Sequence, residues 1–195
     1  MPTPVGHLLS GISAYTILKP ARPNRKWIFF AALFMAVMPD FDFVFGFFVD
    51  NPNRYHHHFT HSIFFITVMS LFVAFILAQN SRAHLLADFV LLTVAGLSHL
   101  FLDMLAVDTS APYGMPLFWP LSEKYVISPV SIFSDIQRAS HSGRFLSSLF
   151  NLHNLVAVGK EVLILGSITL FCLYFKRYGI LKKNIGAKPG ERFKR

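Results

Sequence analysis

"LLADFVLLTVAGLSHLFLDMLAV", residues 85–107, decides the fold. A helix needs about 20 apolar residues to cross the hydrocarbon layer, and this segment supplies them. Its second half nevertheless carries His99 and Asp103. Spaced i, i+4, the two share one helix face and can hold one ion or two adjacent ions. Ionisable groups at membrane depth are costly and mark functional sites by default.

Other apolar segments frame this one: Trp27–Val49, Ser62–Ala78 and Leu155–Phe175, with a shorter amphiphilic stretch at Val5–Leu18. The pattern predicts an all-α, polytopic helical membrane protein with about four or five transmembrane helices. We expect one membrane-embedded domain over 1–178, with 108–153 as an outer loop region rich in Pro and Ser, and 179–195 as a basic cytoplasmic tail. Val5–Leu18 lacks the charged start and small-residue cleavage site of a signal peptide, so it is expected in the mature protein.

Composition agrees. The 195 residues are 53% hydrophobic and 14% charged, with 22 phenylalanines and a mean hydropathy of +0.49. Too few polar residues are present to cover a soluble domain of this size. The net charge of +8 sits mostly in "KPARPNRK" (19–26) and in the stretch from Lys176 to Arg195. Both flank apolar runs, as cytoplasmic loops do, and no basic patch with stacking aromatics accompanies them. No nucleic-acid partner is expected. Charge bias puts 19–26, 79–84 and the C-terminus inside, and 50–61, 108–153 and the N-terminus outside, in an inner membrane protein.

That orientation gathers ionisable residues in one outer layer. His99 and Asp103 lie roughly 12 and 6 Å below the outer boundary of 85–107. "MPDFDF" (38–43) places Asp40 and Asp42 at similar depth; Pro39 breaks the helix, and irregular backbone at that depth survives only around a buried or wet cavity. "RYHHHFTHS" (54–62) adds His56 and His61 as ligands, with His57 and His58 more exposed and Thr60 and Ser62 placed to orient the ring or cap the next helix. His7 and Glu161 fall in the same layer. Each has a bland explanation alone: a helix-end histidine, and a glutamate favoured near a helix N-terminus.

Imidazole and carboxylate donors without thiolates suit zinc first, with manganese or iron as alternatives, in a hydrolytic site. The candidates His7, Asp40, Asp42, His56, His61, His99 and Asp103 are enough for two ions. Asp42 or Glu161 could serve as general base, and the sequence does not choose between them. Arg54 and Arg144 are the candidate phosphate contacts, although "SHSGR" (140–144) also reads as a plain polar turn.

The ordered set "VGHLLSG", "MPDFDF", "HHHFTHS", "GLSHLFLD" and "YGMPLFWPLSEKYVIS" resembles the YdjM-like family of inner-membrane proteins, described as membrane-bound metal-dependent hydrolases. The resemblance covers about residues 1–135. That family is distantly similar to the zinc phospholipase C and zinc nuclease group, which implies an all-helical fold and a multinuclear site for phosphoester cleavage. It implies the same seven ligands. Members commonly carry arginine at the position of His57; Arg54 is the candidate replacement here. The expected function is therefore a membrane-embedded metal-dependent hydrolase, a phosphoesterase acting on a lipid or lipid-linked substrate. A divalent-metal transporter and a non-catalytic membrane protein with a structural metal are the alternatives. A metalloprotease is disfavoured because no H-E-x-x-H motif occurs.

Overall fold

The computed structural model describes residues 1–18, 25–78, 82–109 and 111–186. The basic stretch 19–24, loop residues 79–81 and the tail 187–195, on which the orientation argument leans, lie outside the described residues.

Seven α-helices appear among the described residues: α1 (Pro4–Leu18), α2 (Arg25–Val37), α3 (Asp42–Phe47), α4 (Ile63–Leu77), α5 (Leu85–Met104), α6 (Ser142–Ser148) and α7 (Leu152–Gly186). Three apolar helical stretches are long enough to cross a bilayer, Lys26–Phe47, Leu85–Met104 and Leu152–Tyr178, and α4 is a shorter apolar helix. The protein is an all-α polytopic membrane protein. The last helix is longer than the 155–175 expected from hydropathy, because α7 continues to Gly186.

Which face of each helix is buried follows from side-chain size and polarity. Along α5, Leu91, Leu92, Ala95, Gly96, His99, Leu102 and Asp103 turn inward, while Leu86, Val90, Val94 and Phe101 turn outward. On α4 the outward row is Phe64, Val68, Leu71, Phe72 and Phe75. Soluble proteins rarely expose contiguous apolar surface of that kind, whereas lipid solvates it. Without a hydrophobic drive between helices, close packing depends on small residues. Gly96 shows this: a Cβ there would lie 2.6 Å from Ile66 Cγ2, so only glycine permits the α4–α5 approach.

α1 threads the middle of the bundle, packed against α2, α5 and α7. Its polar groups pair across the helix contacts: Ser13 Oγ meets Thr169 Oγ1 at 2.9 Å, and Ser10 Oγ meets Ser98 Oγ at 2.9 Å. Lys176 Nζ donates to the Thr16 carbonyl.

The connection 108–153 is more ordered than a solvated loop. Val107 N–H donates to the Phe133 carbonyl (3.0 Å), and Phe133 N–H to the Leu105 carbonyl (2.9 Å). Met115 and Val126 exchange two backbone bonds, and Ile63 N–H donates to the Leu117 carbonyl. Met115 and Leu117 join the core. The chain thus folds over the bundle end where α1, α4 and α7 begin and α2 and α5 finish.

Candidate metal centre

Two kinds of backbone deliver the site. The regular part is α5, which presents His99 and Asp103 one turn apart, both buried. The irregular part is 38–61. Pro39 ends α2 at Val37, and a 3₁₀ turn over Met38–Phe41 leads into α3. That break sends Asp40 and Asp42 inward while Phe41 between them is half exposed. Two further 3₁₀ turns, Pro52–Tyr55 and Phe59–His61, carry the histidines.

The side chains converge. Asp103 Oδ2 lies 3.2 Å from His99 Nε2, 3.5 Å from His61 Nε2 and 3.8 Å from His57 Nε2, and its Oδ1 lies 3.4 Å from His7 Nε2. Asp40 Oδ1 lies 3.5 Å from His99 Nε2 and 3.7 Å from His61 Nε2. The His7 and His99 rings stack with centroids 3.7 Å apart. Two groups result, Asp40–His61–His99–Asp103 and His56–His57–His61, and within each the donor atoms lie within 4.8 Å of one another. His61 belongs to both.

These residues could hold a metal ion, and the pattern of hydrogen bonds bears on the fit. Both oxygens of Asp40 and Asp103, both ring nitrogens of His7, and Nε2 of His56 and His57 are buried without a hydrogen bond among the described residues. Leaving so many polar atoms unpaired is costly. Meanwhile the far side of several rings is held. His99 Nδ1 donates to the Ala36 carbonyl (2.8 Å), and His56 Nδ1 meets Asp42 Oδ1 at 3.0 Å. His61 Nδ1 lies 3.0 Å from Thr60 Oγ1 and 3.3 Å from Asp42 Oδ2, to which Thr60 also donates. Anchoring one ring nitrogen while the other faces a shared centre is how proteins orient metal-ligating histidines.

Electrostatics distinguish the loop histidines. Burial, reinforced by neighbouring imidazoles, lowers the His56 pKa well below the usual histidine value and brings His57 down to about 3. Burial also works against a charged His61, but the carboxylates of Asp103, Asp40 and Asp42 outweigh it and raise its pKa well above the usual value.

The remaining candidates fall in different places. Asp42 sits behind the His56 and His61 rings rather than between the two groups. Glu161 is fully buried in α7 but is engaged by the N-terminal segment: its Oε1 accepts from Thr3 N–H (2.9 Å) and its Oε2 from Thr3 Oγ1 (2.5 Å). Gly6 makes room for it, since a Cβ there would stand 2.8 Å from Oε2. Arg54 is exposed at the rim of a polar cavity of about 290 Å³ that His56 and His57 also line. Arg144 is exposed on α6 and lines neither described cavity. His57, expected at the surface, is buried; its left-handed backbone (φ 61°) turns the ring inward. Histidine is among the few non-glycine residues enriched in that conformation.

A family model described as "YdjM inner membrane protein" matches residues 1–182. The chain belongs to the YdjM family. A YdjM-family assignment accords with the ordered motifs and places the protein in the inner membrane. The chain is 33% identical over 135 residues to inner membrane protein YbcI of Escherichia coli (strain K12), covering 66% of this chain and 73% of that protein. No solved structure matches.

The sequence reading missed Arg138. Its Nε–H donates to Asn53 Oδ1 (2.7 Å), and its guanidinium lies 5.0 Å over the Phe43 ring. Burial lowers its pKa from the usual arginine value, opposed by Asp40, Asp103 and Asp42. The only signal was a single cation in "SDIQRAS", within a stretch read as polar connection.

Proposed function

We propose that this protein is a metal-dependent hydrolase that cleaves a phosphoester of a membrane lipid or lipid-linked substrate at the outer face. The observation carrying this reading is the cluster itself: buried carboxylate oxygens and imidazole nitrogens, unpaired by hydrogen bonds, converging at one end of a transmembrane bundle. The donor chemistry favours zinc, then manganese or iron, and the shared His61 offers room for two ions. A divalent cation bound there would lower the pKa of water and neutralise charge growing on phosphoryl oxygens.

The chain's own residues do the rest. Asp40, Asp103, His7, His61 and His99 hold the centre, with His56 and His57 completing it. Asp42 fixes the His56 and His61 rings through Nδ1. Of the two general bases named from sequence, Glu161 is occupied by Thr3, and Asp42 spends its oxygens on His56, His61 and Thr60. Asp40 holds the centre on the side that lines a cavity large enough for substrate. In hydrolysis the water oxygen bonds to phosphorus, the ester P–O bond breaks, and the proton lost by the water ends on the leaving oxygen. The buried setting strengthens each electrostatic contact because little water competes.

A structural role is the second reading, favoured by the His–Asp ion pairs that already hold the rings together. Purified protein loaded with zinc or manganese and offered phospholipid and isoprenyl-phosphate substrates separates the two. Hydrolysis that requires the metal, and that Asp103→Ala abolishes together with metal binding, supports the enzyme. Loaded protein inert on all substrates leaves the structural role.

A further inference from the structure

Two cavities of opposite character meet beside the cluster. The smaller, about 290 Å³, is polar and is lined by Asn51, Asn53, Arg54, His56, His57 and Asp135 among others. The larger, about 980 Å³, is apolar and runs between the N-terminal segment and the start of α7, past Phe43, Phe145, Leu149, Phe150 and Val158. The smaller takes His56 and His57 from the candidate metal centre, and the larger takes Asp40. Met1, Ile136 and Arg138 line both.

Arg138 is the side-chain cation at that junction. Its Nε is committed to Asn53 and its flat face to Phe43, so the side chain is held in one orientation. None of the hydrogen bonds or ion pairs among the described residues engages its terminal nitrogens. A guanidinium fixed from one edge and one face presents its remaining donors as a fork, the geometry suited to two oxygens of one phosphate.

We propose that Arg138 is the phosphate-recognition residue of a lipid-binding site, and that the ligand is an amphiphilic phosphodiester: chain in the apolar cavity, phosphate between Arg138 and the cluster, polar head in the smaller cavity. The proposal rests on the hydrolase reading for what happens to the ligand, though not for its binding. Three features of the ligand follow from three features of the protein. An apolar cavity of this size accepts a long hydrocarbon chain. A cationic fork with uncommitted donors favours an anionic group there. A polar cavity beyond the fork gives the second ester substituent a wet place to lie, so a diester fits better than a monoester.

Binding is the test, read by native mass spectrometry of the full chain in a neutral maltoside detergent, with and without zinc. The probes are lysophosphatidylglycerol, its phosphate-free counterpart monoacylglycerol, and chain-free glycerol phosphate. A charge-assisted contact predicts that Arg138→Gln weakens lysophosphatidylglycerol by about tenfold or more and leaves monoacylglycerol unchanged. Arg138→Lys recovers part of the loss, because charge returns without the fork. Val158→Trp fills the apolar cavity away from Arg138; it weakens both chain-bearing probes and spares glycerol phosphate. A farnesyl phosphate arm tells an isoprenyl chain from an acyl chain, and Arg138-dependent binding of either supports the site. Wild-type affinity for lysophosphatidylglycerol in both Arg138→Gln and Val158→Trp overturns it. Arg138-dependent binding without any turnover by metal-loaded protein leaves this site standing and removes the hydrolase. Turnover indifferent to both substitutions does the reverse.

Discussion

The metal-centre residues of α5 and those of 38–61 reach the same place by opposite means. In α5 a regular helix fixes His99 and Asp103 by spacing alone. In 38–61 the helix is broken at Pro39, three 3₁₀ turns and the short α3 follow, and His57 adopts positive φ. Periodicity sets distance along one axis; broken backbone lets neighbouring residues be aimed from several directions. A centre that must be surrounded needs both. Strain of the His57 kind costs of order 1–3 kcal/mol and persists only where the surroundings over-determine it.

The comparison can be broken most sharply from the regular side. Asp103 lies within 3.8 Å of His7, His57, His61 and His99, each a candidate ligand. Asp103→Ala should weaken zinc binding by more than about a hundredfold, measured by competition with a chromophoric chelator, because a ligand matters more than the residues that orient ligands. On the irregular side, Asp42→Ala leaves the donors present but frees two rings. It should weaken binding by about 10–100-fold, with the folded state retained by thermal melting. A loss as large as that of Asp103→Ala would make Asp42 a ligand itself.

His61 links the two regions, and proton release reports on it. Its pKa is raised well above the ordinary histidine value. At neutral pH the metal-free ring is therefore protonated, and a bound metal must displace that proton. Apparent zinc affinity should fall as pH falls, by about tenfold per unit for one displaced proton, with release visible by calorimetry in buffers of different ionisation enthalpy. A flat profile between about pH 6 and 8 would remove His61 from the ligand set. The smallest effect is at the junction with α4. Ser62 Oγ caps that helix by accepting from Phe65 N–H at 3.1 Å, so Ser62→Ala should cost about 1 kcal/mol of stability and leave metal affinity nearly unchanged.

Much of this was legible in the sequence, for identifiable reasons. Apolar length gave the helices, the i, i+4 pair gave one wall of the centre, and Pro39 marked where the backbone turns. His56 and His61 stood out because they flank the turn into an apolar run. Other features depend on contacts that no local pattern encodes. His57 looks like any member of a histidine run until its positive φ turns it inward. Glu161 shares depth with the cluster yet is claimed by Thr3, a residue 158 positions away. Arg138 gains its place from Asn53 and Phe43, both distant in sequence. The connection 108–153 read as polar because its few buried residues, Met115, Leu117 and Phe133, are scattered rather than periodic.

The most direct test of the account is elemental analysis of detergent-purified, metal-replete protein, wild type beside His99→Ala and Asp103→Ala. The account predicts stoichiometric zinc, manganese or iron in the wild type and a clear loss in both variants. Wild-type protein that is folded yet carries no stoichiometric metal would contradict it, and the His–Asp ion pairs alone would then explain why these side chains meet.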